Sequence, residues 1–345
     1  MEAGAPVELR APRTDDRSVL DVVFGLYGYP AVLIGHRLGL FPLLDEKPRT
    51  LPQVSEALAI KPRPASAILT AAVSLGFVQL RDGLYSLTTV AEEYLLERSP
   101  TYFGFFWDLI SDNPDVVSFA GLEKAVLTDA AQVRGGGDVF ESLDADAEAG
   151  KAFTRGMHGI SMGPGLAWPE FADLSGHRLM LDVGGGSGAH SIGAVTMWSH
   201  LRAIVLDMQS VCEVADEFIR KHDLEDRIET LGADMWEEPF PAADVHFYSN
   251  IFHDWSKEKG RFLTAKSFDA LPAGGRIIIH EVLYNDDMTG PFVAAGYSMG
   301  MLGWSVDGAQ YSGQELSAML TDVGFTDVDV KATFGYYSIV VATKP

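Results

Sequence analysis

The run FYSNIFHDWS, residues 247–256, sets His253 between an apolar strand-like stretch and an acidic–aromatic pair. An unperturbed imidazole titrates near pH 6.5, so a histidine so placed suits removal of a proton from a hydroxyl near neutral pH. Further along, Glu281 ends the run GRIIIHE. If both runs are adjacent parallel strands, the carboxylate and the imidazole reach the same rim of a sheet. The bland alternative for His253 is a helix-start residue, since SKEKGRFLTAKSFDAL follows with helical spacing.

A second set of groups surrounds LDVGGGSGAH, residues 181–190, where Asp182 precedes four glycines in five positions. Glycines there permit a sharp turn and let a ligand approach the backbone. Asp207 ends the run LRAIVLD, and Asp234–Met235 follow RIETLGA. A carboxylate just before the loop suits a cationic ligand end better than a pyrophosphate, and an acid at the next strand end suits ribose hydroxyls. Asp234 can accept from an adenine amino group while Met235 offers a thioether to the ring face. These features favour S-adenosylmethionine. Gly184, Gly186 and Ala189 also satisfy the pattern G-x-G-x-x-A, so a nicotinamide-dependent oxidoreductase is the alternative enzyme.

The elements that must carry these groups change character near residue 175. Before it, apolar residues fall at helical spacing; after it, short β-rich runs alternate with amphipathic stretches, as in a doubly wound α/β sheet. Ligands of such sheets lie across the carboxyl ends of the strands. In the first part AVLIGHRLGLFPLL reads as one helix, TLPQVSEALAI as a second capped by Thr50, and RPASAILTAAVSLG as a third. FVQLRDGLYSLT then makes two strands about an Asp82–Gly83 turn, which completes a winged-helix module. Its third helix carries no lysine or arginine beyond Arg63 at its start, so it lacks a phosphate-binding face. TYFGFFWDLI (101–110) reads as core, with some rings left to face a cavity or a partner. Near the end, Ser312 and Glu315 form a capping box.

The 345 residues carry a net charge of −22 with 47% hydrophobic and 21% charged residues. A polyanion is repelled by phosphate backbones and anionic lipids, which argues against nucleic acid and membrane surfaces as partners. Cys212 is the one cysteine, so no internal disulfide forms. The polar N-terminal run MEAGAPVELRAPRTDDRS is unlike a secretory signal. AVLIGHRLGLF is broken by His36 and Arg37, so no apolar run is expected to reach membrane-spanning length. The expectation is a cytoplasmic protein.

Taken together, LDVGGGSG, Asp207, Asp234–Met235 and FHDW resemble the S-adenosylmethionine-dependent small-molecule O-methyltransferases of plant and bacterial secondary metabolism, the caffeate and hydroxyindole type. The resemblance runs from about residue 18 to the end. It implies a winged-helix dimerisation domain over 1–100, a helical linker and substrate-lining region over 101–175, and a Rossmann-like cofactor-binding catalytic domain over 176–345. It implies a homodimer, a small-molecule acceptor, and no metal. By it Asp182, Gly184, Gly186 and Asp207 serve the methionine and ribose portions of the cofactor, Asp234 and Met235 the adenine. His253 becomes the general base and Glu281 its orienting acid. Where family members usually have a lysine or arginine four positions before the histidine, this chain has Ser249, a weaker cofactor contact.

The resemblance also marks departures. Gln310 stands where the family has a second flanking glutamate, and Ser298 where an aspartate is frequent. Both changes remove charge that would support an imidazolium. HFYSNIFHDW, IIIHEVLYNDD and FGYYSIV are in addition similar to bacterial methylthio-hydroxybutyrate S-methyltransferases. Three acceptor atoms follow. A hydroxyl oxygen fits the His253–Glu281 pair. A thioether sulfur needs no base, and its sulfonium product gains from aromatic faces. A carbon beside a keto acid would call for a metal, with His253, Glu281 and Gln310 as the conceivable ligands.

Overall fold

The computed structural model describes residues 11–133 and 139–345. The first ten residues of the polar N-terminal run thus lie outside the described residues. The chain divides into two compact units, Met1–Ser99 and Pro100–Pro345.

The first unit comprises α1 (Arg17–Arg37), α2 (Leu40–Glu46), α3 (Leu51–Ala57), α4 (Pro62–Ser74), β1 (Val78–Arg81), β2 (Leu84–Leu87) and α5 (Thr89–Tyr94). The single helix expected over residues 31–44 is two. Gly39, at φ 74°, takes a left-handed turn that L side chains avoid, and α2 restarts after it. Thr50 caps α3 as expected, with its backbone N–H donating to Gln53 Oε1 at 2.8 Å. Asp82 and Gly83, both at positive φ, close the β1–β2 hairpin. Phe41, Val54, Leu69 and Val78 form the centre of this unit. Helix α1 corrects another expectation. Its 21 residues are long and apolar enough, by length and composition, to cross a membrane. The sequence reading stopped at the charges of His36 and Arg37 and did not join residues 17–30 to those that follow. Val19, Val22, Phe24, Leu26 and Tyr27 on this helix are all well exposed.

The second unit opens with α6 (Gly104–Asp112), α7 (Pro114–Val117), α8 (Phe119–Thr128), α9 (Val139–Ala145) and α10 (Ala147–Ala167). There follow β3 (Leu179–Val183), α11 (Ala189–Met197), β4 (Arg202–Asp207), α12 (Gln209–Lys221), β5 (Ile228–Gly232) and β6 (Val245–Ser249). The chain finishes with α13 (Lys257–Ala270), β7 (Arg276–Val282), α14 (Phe292–Trp304), α15 (Gly313–Val323), β8 (Thr326–Ala332) and β9 (Tyr337–Thr343). The sheet order is β5-β4-β3-β6-β7-β9-β8. Strands β3 to β7 run parallel, and β9 is antiparallel to both its neighbours.

The sequence explains this arrangement locally. Ile277, Ile278 and Ile279 of β7 are all buried, the continuous apolar run of a strand covered on both faces. In α12, Val211, Val214, Ala215, Phe218 and Ile219 are buried at helical spacing, while Arg220 and Lys221 fall in the last turn where the helix dipole favours cations. The Ser312–Glu315 capping box forms. Each large side chain so buried contributes about 1.5–3 kcal/mol. The consequence for function is topological. The chain builds outward from β3 through β4 to β5, then returns to place β6 on the other side of β3. The crevice at that reversal is where the carboxyl ends of β3 and β6 open.

Candidate active site

A cavity of about 1140 Å³ opens at that crevice, with all of its lining residues in the second unit. The loop after β3 supplies one wall. Gly186 sits at φ 56°, with open space where a side chain would begin, so the backbone itself faces the cavity. Asp182 is buried beneath this loop. Its Oδ2 accepts from Ser191 Oγ at 2.7 Å, whereas Oδ1 has no partner among the described residues. Burial raises its pKa to about 7. Asp207, at the end of β4, accepts from the N–H groups of Gly186 and Met208 at 2.8 Å each. Burial raises its pKa to about 6 against the effect of those two bonds. Asp182, Gly184, Gly186, Asp207, Asp234 and Met235 therefore share one lining. Asp234 also accepts from the Trp236 N–H at 2.7 Å, fixing the turn after β5.

Ser249, the last residue of β6, lines the same cavity. Its hydroxyl lies 2.9 Å from Nδ1 of His280 on β7. Burial pushes the His280 pKa well below its ordinary value, so this ring is neutral. A neutral hydroxyl backed by a neutral ring stands at the position where the resemblance led one to expect a lysine or arginine.

His253 follows β6 in a short 3₁₀ turn, Phe252–Asp254. The ring is buried, and its Nδ1 lies 2.6 Å from Glu281 Oε2. The other oxygen of Glu281 accepts from the Phe252 N–H at 3.1 Å. On the far side of the ring, Nε2 lies 3.4 Å from Asp254 Oδ1. Burial works against the charged ring, but the carboxylates of Glu281 and Asp254 outweigh it and raise the His253 pKa to about 10. The sequence reading looked for supporting charge at residues 298 and 310 and assigned none to the neighbouring residue. Asp254, the next residue in the chain, provides the second carboxylate. Glu281 stands behind His253 rather than in the cavity wall. Gln310 is buried away from that wall, its amide nitrogen and oxygen both without a partner among the described residues. Ser298 accepts from Tyr284 Oη at 2.8 Å, also off the cavity. Among the described residues, no group of three or more His, Cys, Asp or Glu is arranged to hold a metal ion.

The wall opposite the strand ends is helical. Phe106 and Leu109 of α6, Phe153 and Met157 of α10, and Tyr297 and Trp304 of α14 contribute to it. Of the aromatic run 102–107, Phe106 alone reaches the cavity; Phe103 packs behind it, 5.3 Å away between ring centres. Trp236 meets Trp255 edge-on, and Phe140 stacks on Trp255 at 5.1 Å. Phe153 then approaches Trp304 at 6.0 Å, so aromatic surface continues from the turn after β5 toward the helices. The Tyr297 ring is centred 5.8 Å from that of His253.

The O-methyltransferase domain model matches residues 119–326. A 3-hydroxy-5-methyl-1-naphthoate 3-O-methyltransferase of Streptomyces sahachiroi is 34% identical over 311 residues, 89% of each chain. The chain belongs to the O-methyltransferase family. An L-tyrosine C(3)-methyltransferase of Streptomyces lavendulae is 30% identical, covering 99% of this chain and 96% of that one. Among solved structures, human N-acetylserotonin methyltransferase in complex with SAM shares the fold, with a TM-score of 0.82 at 24% identity over 97% of this chain and 99% of that one. The nicotinamide reading of the glycine pattern finds no support in this methyltransferase, nor does the methylthio-acid reading.

Several participants in this O-methyltransferase's cavity escaped the sequence reading. Asp254 was visible in HDW as half of an acidic–aromatic pair but was given no role. Asn250, Tyr297 and Lys259 also line the cavity. Lys259 Nζ sits 4.0 Å above the Trp255 ring, a contact made by the N-terminal turn of α13. Asn250 carried one signal: asparagine is among the few residues that tolerate its left-handed φ of 56°.

Proposed function

We propose that this protein transfers the methyl group of S-adenosylmethionine to a phenolic hydroxyl of a flat, multi-ring acceptor. The observation that carries the reading is the sharing of one cavity by the strand-end acids and by His253, whose ring lies between Glu281 and Asp254. The residues fit the cofactor. Exposed backbone at Gly186 and the unpartnered Oδ1 of Asp182 meet its charged amino-acid end. Asp207 takes the ribose hydroxyls, and Asp234 and Met235 the adenine. Ser249 adds a neutral contact. Bound S-adenosylmethionine supplies an electrophilic methyl group on a sulfonium.

The chain's own residues do the rest. Glu281 accepts from Nδ1–H and so orients the ring, leaving Nε2 to receive the acceptor's proton beside Asp254. Glu281 and Asp254 hold the ring's affinity for protons above that of a free imidazole, so once deprotonated the ring is a strong base toward a phenol. The helical wall holds the acceptor for in-line attack, which requires the reacting atoms about 3–3.5 Å apart. The cavity slightly exceeds the usual range for small-ligand sites, and its aromatic walls suit stacked rings. The naphthoate O-methyltransferase among its relatives supports that acceptor class.

We assign the exposed apolar face of α1 to a second copy of the chain, in a homodimer built on a winged-helix unit. Light scattering on the purified chain tests it, and a monomer contradicts it. The reaction is tested by incubating the protein with methyl-labelled S-adenosylmethionine and a panel of fused-ring phenols, aliphatic hydroxy acids and methylthio acids. Label should enter the phenols as a methyl ether, identified by NMR of the product. Label confined to sulfur or to a ring carbon would overturn the assignment.

A further inference from the structure

One of the buried histidines, His158, lies against the glycine loop and has no part in the chemistry above. His158 of α10 lies flat on Phe218 of α12, ring centres 3.5 Å apart and planes 12° from parallel. Its Nδ1 is 2.8 Å from Ser187 Oγ. Burial, reinforced by the nearby His222 and Lys221, pushes its pKa down to about 3, so the ring is neutral. Ser187 is the one side chain within the glycine run 184–188, and it faces the cavity while His158 stands behind it. A serine hydroxyl has one proton and two lone pairs, and His158 engages only one of these. The others remain for a ligand.

The sheet order indicates which part of the ligand that is. The glycine loop follows β3, with Asp207 at the end of β4 on one side and His253 after β6 on the other. A nucleoside lying toward Asp207 and Asp234, with its methyl group toward His253, leaves the amino-acid end beside the loop and α10. Thr154 and Met157 of α10 line the same region.

We propose that Ser187 binds the amino-acid end of S-adenosylmethionine and that His158 is the positioning residue that holds its hydroxyl in place. The inference rests on the cofactor reading above and deepens it. Both tautomers of the neutral ring serve. Donation from Nδ1 frees the hydroxyl to donate to the ligand carboxylate; acceptance by Nδ1 frees the oxygen to accept from the ligand ammonium.

Calorimetry with two probes tests this. S-adenosylhomocysteine has the amino-acid end, and 5′-methylthioadenosine keeps the nucleoside and thioether without it. His158→Ala and Ser187→Ala should each weaken S-adenosylhomocysteine about tenfold and leave 5′-methylthioadenosine unchanged. His158→Asn, whose amide reaches the place of Nδ1, should restore most of the affinity. The double alanine variant should bind no worse than either single one, since both remove one interaction. Equal losses for both probes mean a merely structural role and overturn the proposal, as do unchanged affinities or additive losses. Failure of the unaltered protein to bind either probe is a distinct result that removes the cofactor reading itself.

Discussion

The two sides of the cavity are built differently. On the strand-end side, Asp182, Gly184, Gly186, Asp207, Asp234 and Met235 all fall between residues 182 and 235, each at or just after the end of a strand. Parallel register brings those ends together without any help from side-chain packing, so a short motif defines the surface. On the helical side, Phe106, Phe153, Tyr297 and Trp304 come from three helices far apart in the chain. Nothing local ties them to one another, and their shared wall exists only through tertiary packing. The difference teaches that such a fold can keep one cofactor while its acceptor changes, because the two surfaces answer to separate parts of the sequence. His253 stands where they meet. Its place is set by a strand end, but its proton affinity depends on Glu281 from the next strand.

The largest effect that would sharpen this contrast is expected at that junction. His253→Ala should lower turnover of a phenolic acceptor by about 10²- to 10⁴-fold, with S-adenosylhomocysteine affinity changed less than about twofold in calorimetry. Retained turnover would remove the base role. A smaller effect is expected from Glu281→Gln, which keeps the side chain's shape but removes its charge. Glu281 raises the His253 pKa, so its loss must lower it. The rise of rate with pH should therefore move to lower pH, and the plateau should fall by about tenfold or more as the ring loses its orientation. An unmoved limb would mean that Asp254 alone sets the ring's affinity for protons. The smallest effect concerns the cofactor side. Asp182 and Asp207 titrate near 7 and 6 in the folded protein, and a sulfonium ligand favours their ionised forms. Affinity for S-adenosylmethionine should drop several-fold between pH 8 and pH 6, within the factor of about ten that one pKa unit represents. Acceptor KM measured at saturating cofactor should lack that dependence.

The same division explains what could be read before the structure. The glycine loop, the three acidic strand ends and the His253–Glu281 pairing were legible because each depends on a strand end, which periodicity reveals. Asp254 was written in the motif yet given no role, since sequence alone does not say that a 3₁₀ turn brings its carboxylate toward the preceding imidazole. Gln310 occupies a position the resemblance marked; its side chain is buried and does not line the cavity. The length of α1 was missed because residues 17–30 were not joined to the apolar run that follows them. Packing decided the remainder: which of five clustered aromatic residues reaches the cavity, and that His158 meets Ser187 across helix and loop.

The independence of the two surfaces is tested most directly by one crossed titration. S-adenosylhomocysteine affinity and acceptor KM are measured for Asp207→Ala and for Trp304→Ala. Asp207→Ala should weaken S-adenosylhomocysteine binding by about tenfold or more with acceptor KM unchanged at saturating cofactor. Trp304→Ala should raise acceptor KM by about tenfold with the S-adenosylhomocysteine affinity unchanged. If each substitution moves both quantities together, the two walls are not separate and the account is contradicted.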